Sequence, residues 1–130
     1  MTYNFQNKNK LLIISLLSGF IGFLIKLIYR PLIIENKIND FGIHGFSPSL
    51  FYTLGFCLFI AFWLKKGHIK AMIFCTIGIL AYEIEQIWTT RTFDYLDTAA
   101  IIFGLGLSIL IFKRISKKAR LSVSDEFVVD

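Results

Sequence analysis

Cysteine, histidine and proline each occur only twice in the 130 residues. Two cysteines, Cys57 and Cys75, cannot staple a small fold or build a cysteine-rich metal centre. Each lies inside an apolar run, where a thiol behaves as a small hydrophobe. The single histidines at 44 and 68 offer no pair of metal ligands, and His68, close to three lysines, reads as a solvated turn residue. No glycine loop of the nucleotide-binding kind is present, so neither a cofactor nor a metal is expected. Charge is the other scarcity. Asp, Glu, Lys and Arg make up 18% of the chain, and residues 11–25, 46–64 and 98–112 contain none of them. Such runs exclude an ordinary soluble domain, because a chain this short leaves too much surface exposed to hide them.

What fills the gap is apolar surface: 55% of residues are hydrophobic, 16% are aromatic, and the mean hydropathy is +0.65. A bilayer span needs ~20 mostly apolar residues. The three uncharged runs qualify, and a fourth, 71–82, grows to 69–88 if Lys70, Glu83 and Glu85 sit near its ends. The expected fold is a single all-α domain, an antiparallel bundle of four transmembrane helices at about 11–29, 48–64, 69–88 and 95–112. Arg30-Pro31 reads as the stop of the first span, and Ser47-Pro48 as an N-cap with proline in the first helical position of the second. Gly67 supplies the joint of a tight turn. Ser15/Gly19, Ser18/Gly22 and Ala100/Gly104/Ser108 put small residues four apart, which lets helices approach closely. Lys8 and Lys10 precede the first run as in a signal peptide, but the following KLIYRPL has no small-residue cleavage pair, so this helix is expected to be retained. Residues 113–130, basic and then acidic, are expected to form a disordered tail.

The formal charge of +5 and pI near 9.3 do not point to nucleic acid, since no basic stripe is interleaved with stacking aromatics. They follow topology instead. With the amino terminus inside, Lys8, Lys10, Lys65, Lys66, Lys70, Lys113, Arg114, Lys117, Lys118 and Arg120 all fall on the cytoplasmic side, ten of the fourteen basic residues. Both termini are therefore expected in the cytoplasm and the lipid bilayer is the expected partner, with the tail drawn to anionic lipid by about 1 kcal/mol per charge. Glu35, Asp40, Glu83, Glu85, Asp94 and Asp97 collect on the outer half, which makes that face the place for chemistry.

Four carboxylates, an amide and an arginine crowd the stretch EIEQIWTTRTFDYLD, residues 83–97. Glu83 and Gln86, three apart, share a helix face, while Glu85 points away. Asp94 and Asp97 lie on one stripe of the last span. An ionisable residue within a span is costly and needs a partner, and Arg91 in the turn is the nearest for Glu83. Two readings of the same residues stand. In one, Glu83, Gln86, Arg91, Asp94 and Asp97 surround an outward-opening ligand pocket. In the other, Asp94 caps the last helix, Asp97 favours its dipole, and Arg91 neutralises Glu83.

The pattern Glu83-Ile-Glu-Gln86, Arg91-Thr-Phe-Asp94-Tyr-Leu-Asp97 and Gly104-Leu-Gly106 resembles the VanZ-like family of small bacterial membrane proteins over about residues 79–110, with a weaker echo at Asp40, His44 and Phe46. Ile101 stands where that family's pattern has asparagine, and Thr89-Thr90 where it has proline-glycine. The resemblance implies a multi-pass protein of the bacterial inner membrane acting near cell-wall precursors; the name-giving member is linked to low-level teicoplanin resistance. The expected function is engagement of a cell-envelope ligand (a lipid headgroup, wall precursor or glycopeptide) by the polar pocket. The alternatives are a small transporter or ion-binding component, whose path across the bilayer would need a homo-oligomer or second protein, and a structural membrane protein. An enzyme using paired acids is disfavoured, because no nucleophile–base pair accompanies them.

Overall fold

Four helical rods make up the computed structural model, which describes residues 5–89 and 93–126. The first begins as α1 (Phe5–Leu24), widens into a π turn over Ile25–Tyr29 and continues as α2 (Arg30–Glu35). Next come α3 (Ile43–Trp63), α4 (His68–Glu85) with a closing 3-10 turn at Gln86–Trp88, and α5 (Tyr95–Glu126). The architecture is the expected all-α bundle, and all four rods are long and apolar enough to cross a membrane.

Both proline signals behave differently from the sequence expectation. Pro31 does not end the first helix. A proline ring clashes with the carbonyl four residues back, and the π turn just before it loosens the ladder there: the Arg30 amide donates to Ile25 O, five residues back. The helix stops only at Glu35, through a Schellman closure. Ile38 N donates to Ile33 O at 3.1 Å and Lys37 N to Ile34 O at 3.2 Å, with Lys37 in the left-handed region at φ 50°. Likewise Pro48 lies inside α3, which starts five residues earlier than expected, at Ile43. Its start is secured by Asp40, not Ser47. Asp40 Oδ1 accepts from Gly42 N at 3.2 Å and Oδ2 from His44 N at 2.7 Å.

The central helix is α3, packed against each of the others through a different small contact. Towards α1, a Cβ at Gly55 would come within 3.1 Å of Ser15 O and 3.2 Å of Gly19 N, and Ser15 Oγ donates to Gly55 O at 2.8 Å. Towards α5, a Cβ at Gly104 would meet Leu50 O at 3.0 Å and Thr53 Cβ at 3.1 Å. Towards α4, the buried Cys57 Sγ sits 3.8 Å from Met72 O and 3.5 Å from Thr76 Oγ1. The small-residue spacings thus mark real contact faces. Three buried hydroxyls are satisfied within their own helices, Thr53 by Ser49 O, Thr76 by Met72 O and Ser108 by Gly104 O, which offsets the cost of burying them.

Leu11, Leu54, Cys57, Leu58, Ala61, Met72 and Phe112 form the core. Outward-facing positions are also apolar: Leu16, Phe20, Phe74 and Phe103 are all more than half exposed. Exposed apolar surface on every rod is what a lipid-facing bundle presents. At the end opposite the acids, His68 is the first residue of α4 rather than a solvated turn residue, and its ring lies 4.9 Å from that of Phe112. Gly67 precedes it at φ 71°, a left-handed conformation that glycine adopts without steric cost. The segment expected to be a disordered tail continues α5 as helix as far as Glu126.

Candidate functional site

The polar end is built where α2 ends and where the start of α3, the close of α4 and the start of α5 meet. Glu83 and Gln86 share a face as expected. Gln86 Nε2 donates to Glu83 Oε2 at 2.9 Å, with both residues half-buried, while Glu85 is exposed. Asp97, at the third position of α5, accepts from Ser49 Oγ of α3 at 3.1 Å. Asp94 is the N-cap of α5. Its Oδ1 accepts from Leu96 N at 2.9 Å, and its backbone carbonyl from Thr98 N at 3.4 Å. This is the capping geometry that satisfies orphan amides.

Capping does not explain the whole cluster. Glu83 lies within electrostatic range of both Asp97 and Asp94, so three carboxylates from two helices share one end of the bundle. Arg30 lies within range of Asp97. Asp94 also approaches α3: a Cβ at Gly45 would be 3.9 Å from its Oδ2. Of the five candidate site residues, Glu83, Gln86, Asp94 and Asp97 are therefore brought together. Arg91, the expected partner of Glu83, lies outside the described residues.

A second polar unit adjoins the first. His44 Nδ1 and Asp40 Oδ1 are 2.6 Å apart, the Asp40 side chain being only 7% exposed. The Tyr29 hydroxyl is also within interaction range of Asp40. Burial pushes the Asp40 carboxyl up, but the hydrogen bonds from the His44 ring and amide, its charge and the Gly42 amide outweigh that and hold it below the ordinary carboxylate range.

Arg30, Ser49 and the Asp40–His44 pair are the residues that sequence reasoning missed or touched only lightly. The signal for the pair was present: an acid just ahead of an apolar helix is a capping signal, and it falls beside a histidine in the first turn. Arg30 looked like a stop signal because of Pro31, and Ser49 carries no local signature at all. Chemically, the face is rich in acceptors and suits a cationic or donor-rich ligand. His44 is held by Asp40 and Ser49 by Asp97. No group of three or more His, Cys, Asp or Glu there is arranged to hold a metal ion. No family model, curated protein or solved structure matches the chain.

Proposed function

We propose that this chain is a VanZ-like, four-span membrane protein of the bacterial inner membrane, with both termini in the cytoplasm and a polar pocket at the outer interface that engages a cell-envelope ligand. The observation that carries the pocket is that Glu83, Asp94 and Asp97, from two helices, lie within electrostatic range of one another, with Ser49 of a third bonded to Asp97. Like charges gathered near a membrane interface are costly, and a helix cap needs only one of them. A cationic amine, as on a lipid headgroup, a wall-precursor side chain or a glycopeptide, would relieve that repulsion. The E-x-x-Q and R-x-x-D-x-x-D pattern supports the family reading, and the Lys/Arg distribution supports the orientation.

The test is single neutralisation, Glu83→Gln, Arg91→Gln, Asp94→Asn and Asp97→Asn, in cells whose envelope or teicoplanin tolerance depends on the chain. Loss of tolerance at normal protein abundance is expected for Glu83 and Asp97 at least. Unchanged tolerance in all four variants contradicts the pocket. The structural reading is favoured by one observation, the N-cap bonds of Asp94, and it predicts that these residues matter only for stability.

A further inference from the structure

At the end of the bundle opposite the acids, charge of a single sign accumulates. Lys65, Lys66 and Lys70 flank the turn from α3 to α4, and Lys113, Arg114, Lys117 and Lys118 occupy successive turns of α5; all seven are exposed. The His68–Phe112 ring contact ties these two groups to one place. None of the seven is in an ion pair among the described residues. The reason lies in the sequence, which has no Asp or Glu between Asp40 and Glu83, nor between Asp97 and Asp125. Unneutralised cations at this density repel one another and call for an external anion.

Directly beside them lies an apolar feature. Phe59, Ile60, Trp63 and Leu64, the last turns of α3, line an open groove of about 380 Å³. The Phe59 and Trp63 rings stack with centroids 6.4 Å apart, and Trp63 is 73% exposed. The chain then passes without a break into Lys65 and Lys66. An apolar groove along a span, a tryptophan at its end and two unpaired lysines immediately beyond reproduce the order of parts in a phospholipid: acyl chain, interfacial glycerol, phosphate. Tryptophan favours that interfacial level, and lysine stems reach along apolar surface to deliver their charge to headgroups.

We infer that this end is a binding site for an anionic phospholipid, its acyl chain lying in the groove of Phe59, Ile60, Trp63 and Leu64 and its phosphate held by Lys65 and Lys66. The basic face of α5 supplies the surrounding positive field. The inference rests on the membrane-spanning part of the proposed function and is independent of the polar pocket.

Native mass spectrometry of the full chain, released from micelles containing equal phosphatidylglycerol and phosphatidylcholine with identical acyl chains, tests it. The wild type should retain phosphatidylglycerol preferentially. K65Q/K66Q should lower that retention on the order of tenfold while leaving phosphatidylcholine retention and the melting temperature unchanged, and K65R/K66R should restore it. W63A should reduce retention of both lipids, and soluble glycerophosphoglycerol, which has the headgroup without chains, should not compete. E83Q/D97N should retain phosphatidylglycerol like the wild type, so that failure of the polar pocket and failure of this site are told apart. Equal retention of the two lipids by the wild type, or full retention by K65Q/K66Q, overturns the inference. Effective competition by the chainless headgroup overturns the groove's part in it and leaves a simple phosphate site.

Discussion

Asp94 is the residue at which a cap and a binding group can be separated. Asparagine caps a helix about as well as aspartate, whereas alanine costs roughly 0.5–2 kcal/mol. Asp94→Ala is therefore expected to lower the unfolding free energy of the bundle by about 1 kcal/mol, and Asp94→Asn by much less, as read from melts in detergent. If Asp94→Asn nonetheless abolishes envelope function, the charge itself is used; if it is silent in both assays, the carboxylate is only a cap. Asp40 makes a different case, because its folded pKa lies below the ordinary carboxylate value. A depressed folded pKa contributes stability that is fully present above the unfolded value of ~3.9. That contribution fades as pH falls through the lower folded value. Protection factors in the 36–46 segment, exchange measured relative to the intrinsic rate at each pH, should accordingly fall on acidification below about pH 4, and Asp40→Asn should remove most of this acid dependence. An Asp40→Asn variant that keeps the wild-type acid response would exclude the carboxylate as its source. These two roles were unequally legible. A cap at Asp94 follows from an acid just ahead of an apolar run, but the Ser49–Asp97 bond joins residues 48 apart, and no local pattern encodes it.

At the scale of the helices, close packing makes its own prediction. A methyl at Gly104 would press on the Leu50 carbonyl and on Thr53, neither of which can swing aside. Gly104→Val should therefore destabilise the bundle by roughly 1–3 kcal/mol. A methyl at Gly78 meets nothing within 4 Å, and Gly78→Ala should be neutral or stabilising by up to about 1 kcal/mol through helix propensity. Thermal melts of the two variants side by side check this, and equal effects would mean that α3 and α5 do not approach as described. The small-residue spacings were readable because periodicity four is a local property. Helix ends were not. Pro31 and Pro48 are ordinarily boundary markers, yet a π turn accommodates the first and an earlier cap at Asp40 carries α3 through the second. The basic stretch after Phe112 looked like a tail because it turns charged abruptly. Ile115 within it still packs against the core beside Phe112, and the helix continues. At 1.5 Å per residue the 32 residues of α5 extend about 48 Å, well past the ~30 Å of hydrocarbon in a bilayer. Amides of residues 113–120 should be protected from exchange, and fast exchange from 113 onward would contradict a continuous helix.

Over the whole molecule, the two ends differ more than any two helices do. One end gathers Asp40, Glu83, Asp94 and Asp97 around the meeting helices, and the other carries exposed lysine and arginine beside an aromatic groove. Between them, every rod shows an apolar outer face. This polarity was plain in the chain itself, because four uncharged runs and a one-sided distribution of basic residues are visible without coordinates. Which groups within the acidic end touch depends on how the helices pack in three dimensions, and only the structure supplies that. Both binding proposals presuppose that hydrocarbon covers the middle of the bundle. Washing membranes of cells that express the full chain with alkaline carbonate probes that premise most directly. The protein should stay in the pellet and enter solution only with detergent. Recovery as a monodisperse species in the carbonate supernatant would mean that water, and not lipid, surrounds these helices.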